Sequence, residues 1–261
     1  MISVEFRQSN DSKKFTSEDN DKTNENDFVE DDDLQSFDEI NFLIVTDLHF
    51  GGKKSRQESL FFNSIKNRKI DFIFILGDLV DTGFEDNYEE SESFVKKIKS
   101  KLLQPDIPFY VLLGNHDLYQ DGYDYWKELS FSTNKDASYF YFKTPINSEK
   151  TKFRSWYFLD TASGILGYNQ LNNFKELVEK DKNPKIVLTH YPIYADMTMF
   201  DFFRLSDTRE RALLIELCDK HNVDLVFSLT YQNSFLIFFH DGLHIAPVAL
   251  LHNICVPIYL R

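Results

Sequence analysis

Phe72-Ile73-Phe74-Ile75-Leu76-Gly77-Asp78-Leu79-Val80-Asp81 is the stretch that decides the fold. Its first five residues are continuously apolar. A strand with one wet face would alternate apolar with polar residues, so an unbroken run of this length reads as a strand covered on both faces. Gly77 follows at once, where the chain must turn, and a carboxylate, Asp78, comes next. In open α/β sheets, ligands collect just beyond the carboxyl ends of strands. These ten residues therefore predict a buried strand with a hard oxygen donor at its functional end.

The pattern repeats outward in both directions. Apolar runs lie at Phe42 to Val45, Phe109 to Leu113, Trp156 to Leu159, Ile186 to Leu188 and Leu225 to Phe227. Helix-period segments lie between them. Residues 88–103 put Phe94, Val95, Ile98 and Leu102 on one face, with acids first and lysines last to suit the helix dipole. Residues 169–180 repeat this with Leu171, Phe174, Leu177 and Val178, and residues 207–219 open on Asp207 as an N-cap. Strand–helix alternation predicts a layered α/β fold. Near the C-terminus, Phe235 to Phe239, the turn His240-Asp241-Gly242 and Leu243 to Leu251 read as a hairpin.

A polar step follows five of the runs. In order they are Asp47-Leu48-His49, Gly77-Asp78-Leu79-Val80-Asp81, Gly114-Asn115-His116-Asp117, Asp160-Thr161 and His190-Tyr191-Pro192. Carboxylates, an amide oxygen and imidazoles on one rim suit Mn, Fe, Zn or similar divalent ions. The two-residue step from Asp47 to His49 would put both side chains on one side of an extended segment. Gly77 and Gly114 sit where the chain turns and approaches the ions closely. Asp78 can bridge two ions about 3.5–4 Å apart. Asp160-Thr161 reads as a turn cap or part of the site wall.

Composition removes several alternatives. The 261 residues are 42% hydrophobic, enough for a full core, and include 26 Phe against 9 Gly. No apolar run approaches the ~18 residues of a membrane span. No basic-then-apolar secretory leader is visible at Met1 to Arg7. Cys218 and Cys255 each sit among apolar residues and read as buried thiols of a reducing, cytoplasmic setting. Of the net charge of −13, residues 1–40 carry 13 acids against 4 bases. They read as an acidic, largely disordered lead-in, with an interaction tail or a short edge strand at residues 2–6 as the alternatives. Residues 41–261 form a single domain. Without a clustered basic face, nucleic acid is not the expected partner.

The ordered motifs Asp-x-His, Gly-Asp-x-x-Asp and Gly-Asn-His-Asp, then a lone His after a strand, resemble the calcineurin-like metallophosphoesterase superfamily from about residue 41 onward. The resemblance implies a β-sandwich of mixed sheets flanked by helices, in αββα layers. It implies two divalent ions and a phosphate-ester small-molecule substrate attacked by metal-bound hydroxide. By the same resemblance Asp47 and His49 bind the first ion, Asp78 bridges, and Asn115 and His190 bind the second. His116 protonates the leaving alkoxide or stabilises phosphoryl oxygens, Asp117 orients His116, and Asp81 steadies the loops by hydrogen bonds. The family's Gly-His-x-His motif is missing. Thr230 and Gln232 stand where its histidines belong; a one-residue slip would place Leu229 and Tyr231 there instead. His252 could approach the rim from the hairpin's return strand. The reading is then a phosphoesterase with a weakened metal shell or, alternatively, a catalytically degenerate scaffold that binds a protein partner. Residues 119–150 and 193–206 are read as the loops that select the substrate.

Overall fold

The computed structural model of the protein describes residues 4–5, 40–52, 58–193, 204–228 and 256–260. Two sheets organise them. In the first, β2 (Ile40–Val45), β3 (Phe72–Leu76) and β4 (Phe109–Leu112) run parallel, and β9 (Val256–Leu260) lies antiparallel to β2. The second runs in the order β1 (Val4–Glu5), β5 (Phe140–Pro145), β6 (Phe153–Leu159), β7 (Lys185–Thr189), β8 (Val223–Ser228). Its first two pairings are antiparallel and its last two parallel.

The continuous apolar runs mean what they should. Alternate residues of each strand face opposite ways, and here both faces are covered. Phe42, Ile44, Phe72, Phe74 and Leu76 meet Phe142, Trp156, Phe158, Ile186 and Leu188 of the other sheet in the central layer. The intervening Leu43, Val45, Ile73 and Ile75 face α1 (Glu58–Ile65), α2 (Glu85–Leu102) and α3 (Gly122–Lys127). On the far side, Tyr157, Leu159 and Val187 face α4 (Tyr168–Lys180) and α5 (Thr208–Lys220). The layers are therefore helix, sheet, sheet, helix. Each fully buried Phe contributes on the order of 1.5–3 kcal/mol, and edge-to-face and stacked rings such as Phe74–Phe158 and Tyr110–Phe142 fill the sandwich.

Some expectations change. Residues 119–150 are not merely loops, because they hold α3 and β5. In β5, buried Phe140 and Phe142 alternate with half-buried Tyr141 and exposed Lys143, so a search for unbroken apolar runs passes over it. Residues 4–5 are a strand, paired through Val4 with Phe142. The rest of the acidic lead-in and the hairpin at 235–251, with His240, His244 and His252, lie outside the described residues. Asp207 caps α5 as expected, accepting from the backbone N–H of Arg209 and Glu210. At the other end of α5, buried Lys185 donates to the carbonyl of His221. Cys218 is half-buried and burial pushes its thiol up to about 12, while Cys255 lies outside the described residues. No helix among the described residues is long and apolar enough to cross a membrane.

Candidate metal centre

Strand register brings the polar steps together. Val45 pairs with Ile75, so two residues on Asp47 falls opposite Gly77, and its N–H donates to the Gly77 carbonyl (3.1 Å). The ladder then continues past the strand ends. His49 N–H donates to Asp78 O and Phe50 N–H to Leu79 O, both at 3.0 Å. Leu76 pairs with Leu112, which sets Gly114 beside Asp78. A Cβ on Gly114 would lie 2.2 Å from the Asp78 nitrogen and Oδ1, and one on Gly77 would lie 2.6 Å from His190 Nδ1. Both glycines are required by close approach. The first step is not extended, however: Asp47 (φ 52°) and His49 (φ 45°) are left-handed, as is Asp78 (φ 51°). The two side chains converge because the chain coils between them, at a backbone cost of about 1–2 kcal/mol per residue.

Asp78 stands between two donor groups. On one side its Oδ2 lies 3.5 Å from His49 Nε2, which is 3.7 Å from Asp47 Oδ1. On the other its Oδ1 lies 3.5 Å from His190 Nε2, which is 3.2 Å from Asn115 Oδ1. Asp47, His49 and Asp78 are buried, and each has a ligand atom within 4.8 Å of the others. This set fits a pair of cations, and His190 gives the physical reason. A carbonyl only accepts, so His190 Nδ1–H donates to Leu76 O (2.8 Å). Its Nε2 then faces two oxygens, which calls for positive charge, a proton or a metal cation, among them. Burial alone would raise the Asp47 carboxyl, but hydrogen bonding to His49, the His190 charge and the Thr46 hydroxyl outweigh it and hold the carboxyl below its ordinary value.

His116 differs from the other two imidazoles. Its side chain is 29% exposed, against 3% for His49 and 1% for His190. It is open to solvent; they are not. The structure also redistributes its expected partners. The Asp117 carboxylate does not face the His116 ring. It is fully buried and accepts from the backbone N–H of Gly114 (2.8 Å) and Val80 (3.1 Å), tying two metal loops together. Burial and the charge of Asp78 push its carboxyl up to about 7, against the pull of those N–H groups and of His190. Asp81 takes the place beside His116. His116 Nδ1–H donates to the Asp81 carbonyl (2.8 Å), and Asp81 Oδ1 lies 3.2 Å from His49 Nδ1 and 3.8 Å from His116 Nδ1. His49, Asp81 and His116 form a second group close enough to share an ion.

Residues 40–228 match the family model described as calcineurin-like phosphoesterase. The chain belongs to that family. Two curated proteins resemble this calcineurin-like phosphoesterase at low identity. A probable cyclic nucleotide phosphodiesterase of Coxiella burnetii is 24% identical over 232 residues, 82% of this chain and 85% of the relative. A probable cyclic nucleotide phosphodiesterase of Colwellia psychrerythraea is 24% identical over 153 residues, 58% of this chain and about half of the relative (53%). A dimetal phosphatase from Danio rerio shares the fold, with a TM-score of 0.50, 9% identity, and coverage of 72% of this chain and 80% of its own.

Thr230 and Gln232, at the family's missing Gly-His-x-His, lie outside the described residues. Two further contacts support the centre. Thr161 Oγ1 accepts from the N–H of Tyr191, which fixes the turn just after His190 (2.8 Å). In α2, Asn87 donates to the carbonyl and hydroxyl of Thr82 (2.8 and 3.1 Å) and packs against Gly51, bracing two metal loops at once. Thr161 belongs to the Asp160-Thr161 step read from the sequence as a turn cap or site wall, whereas Asn87 lies in no motif and only the folded loops reveal it.

Proposed function

We propose that the protein hydrolyses phosphate mono- or diesters at a centre held by Asp47, His49, Asp78, Asn115 and His190. The observation that carries this reading is Asp78, whose two oxygens face two separate donor pairs. When bound, divalent cations would supply an activated water and positive charge for the phosphoryl oxygens. The remaining steps belong to the chain. The carbonyl of Asp81 holds the His116 ring by Nδ1, which leaves Nε2 as the atom that can carry a proton to the leaving alkoxide. Asp81 steadies that ring and His49 from one point, and Asp117 locks Gly114 to Val80 so that Asn115 and His116 emerge at a fixed distance from Asp78. His190 is held ready for the second ion through Leu76 and the turn at Thr161, with Asn115 Oδ1 3.2 Å from its Nε2.

Loss of the last two histidines, at Thr230 and Gln232, is compatible with this chemistry. Three protein donors and open positions suffice for a catalytic ion. The test is to strip the full chain of metal, restore Mn, and measure bound metal and hydrolysis of aryl phosphate monoesters, diesters and a 3′,5′-cyclic nucleotide. The names of the two curated relatives are the reason for including the cyclic nucleotide. Turnover should fall about 10²–10⁴-fold in His116→Ala with metal content kept. No bound metal and no turnover would refute the hydrolase reading in favour of a degenerate scaffold.

A further inference from the structure

We propose that Tyr119 and Tyr191 form a two-ring clamp across the mouth of the metal centre, selecting phosphate esters whose organic part carries a planar ring. The proposal rests on the hydrolase reading above and names its substrate class. Each of two imidazoles at the centre carries a tyrosine. Tyr119 meets His116 edge to face, with centroids 5.1 Å apart and planes at 62°. Tyr191 meets His190 in nearly the same way, at 5.1 Å and 64°.

Both tyrosines are held by their backbones. Tyr119 N–H donates to the His116 carbonyl (3.2 Å). Its loop is pinned where Gly83 bridges Gln120, and a Cβ on Gly83 would lie 2.1 Å from the Tyr119 carbonyl oxygen. Tyr191 N–H donates to Thr161, and Thr189 donates to the Tyr191 carbonyl (2.9 Å). Yet Tyr119 is 49% exposed, and Phe84, one residue beyond Gly83, is 56% exposed. Rings anchored in place but open to water are surfaces ready to stack. The two histidines that carry these rings both abut Asp78, through the His116 backbone N–H to Asp78 Oδ1 (2.9 Å) and His190 Nε2 to the same oxygen (3.5 Å).

The test compares benzyl with propyl phosphate, each as monoester and as methyl diester, on the Mn-loaded full chain. Binding of benzylphosphonate and propylphosphonate is measured in parallel by calorimetry. The ring compounds should be favoured in kcat/KM and in affinity. Tyr119→Leu should cut that preference about three- to tenfold, and Tyr119→Phe should keep it. Hydrolysis of both esters with equal efficiency would overturn the clamp and keep the hydrolase reading. Ring-selective binding that Tyr119→Leu abolishes, with neither ester hydrolysed, would refute the hydrolase reading and keep the clamp. Binding of neither phosphonate, or equal preference in Tyr119→Leu and Tyr119→Phe, would overturn it.

Discussion

Gly77→Ala isolates the step on which the metal centre depends. Two costs add at this position. The backbone is left-handed (φ +94°), which an alanine adopts at a cost of about 1–2 kcal/mol. The new methyl would also lie 2.6 Å from His190 Nδ1 and 2.7 Å from the Gly114 backbone. Backbone cannot step aside as a flexible side-chain end can, and overpacking of this kind costs about 1–3 kcal/mol more. Gly167 supplies the control. Its φ is also positive (+77°), here with ψ 160°, but a Cβ there meets nothing within 4 Å. Gly167→Ala should therefore lose only a backbone part, about 1–3 kcal/mol, and Gly77→Ala about 2–5 kcal/mol. At about 2–4 °C per kcal/mol for a chain of this size, thermal melts of the metal-free proteins should separate them. The methyl also pushes His190 and Gly114 away from Asp78, so Gly77→Ala should lose divalent-metal affinity while Gly167→Ala keeps it. Equal melting temperatures and equal metal binding in the two variants would refute the close-approach argument.

Other consequences can be checked independently. Asp78→Asn should weaken metal binding by at least about 10- to 100-fold at both sites together, read by equilibrium dialysis; loss of one ion only would show that Asp78 does not bridge. Asn87→Ala removes two hydrogen bonds to Thr82 and should cost about 1–3 kcal/mol in chemical denaturation, together with some metal affinity; a neutral result would show that α2 does not brace the loops. At Asp181, burial acts upward but is outweighed by hydrogen bonds from Ser155, the Asn183 N–H and Tyr157 and by Lys143, so the folded carboxyl lies below its ordinary value of 3.8. A depressed acid stabilises the fold above the unfolded value and loses that contribution as pH falls through the folded one. Wild type should therefore exceed Asp181→Asn in stability near pH 7, with the gap closing below about pH 4; a gap independent of pH would refute this linkage.

How much of this was legible in the sequence depends on what each feature rests on. The six apolar runs announced strands because two-sided burial needs unbroken apolar residues, and six of the strands stand there. β5 escaped because its faces differ, and α3 because six residues carry too little periodicity to read. The metal motifs were legible for a geometric reason. Their residues lie a fixed one to five positions beyond strands whose register is set by packing. Val45 opposing Ile75 and Leu76 opposing Leu112 bring the first three steps together, and packing of the second sheet on the first adds His190 at Leu76.

What the sequence concealed is conformation at single residues, and the exchange between Asp81 and Asp117 shows why. Asp117 is the chain neighbour of His116, so adjacency suggested that it orients the ring. Residues 116–118 instead form a turn of 3₁₀ helix, and Asp117 is buried while His116 remains half open. A fully buried carboxylate must find N–H donors, and the motif loops provide them at Gly114 and Val80. Asp81 lies 35 positions earlier, yet the ladder from Phe50 and Val80 carries it to the space between His49 and His116. Sequence distance misleads at such a site because the donors lie on separate strands, and three of them occupy left-handed backbone. That strain persists only where neighbouring hydrogen bonds over-determine it, as they do at Asp47 and His49, whose N–H groups are held by the Gly77 and Asp78 carbonyls. These hydrogen bonds hold the loops in the geometry of the centre, so less of a cation's binding free energy goes to ordering them.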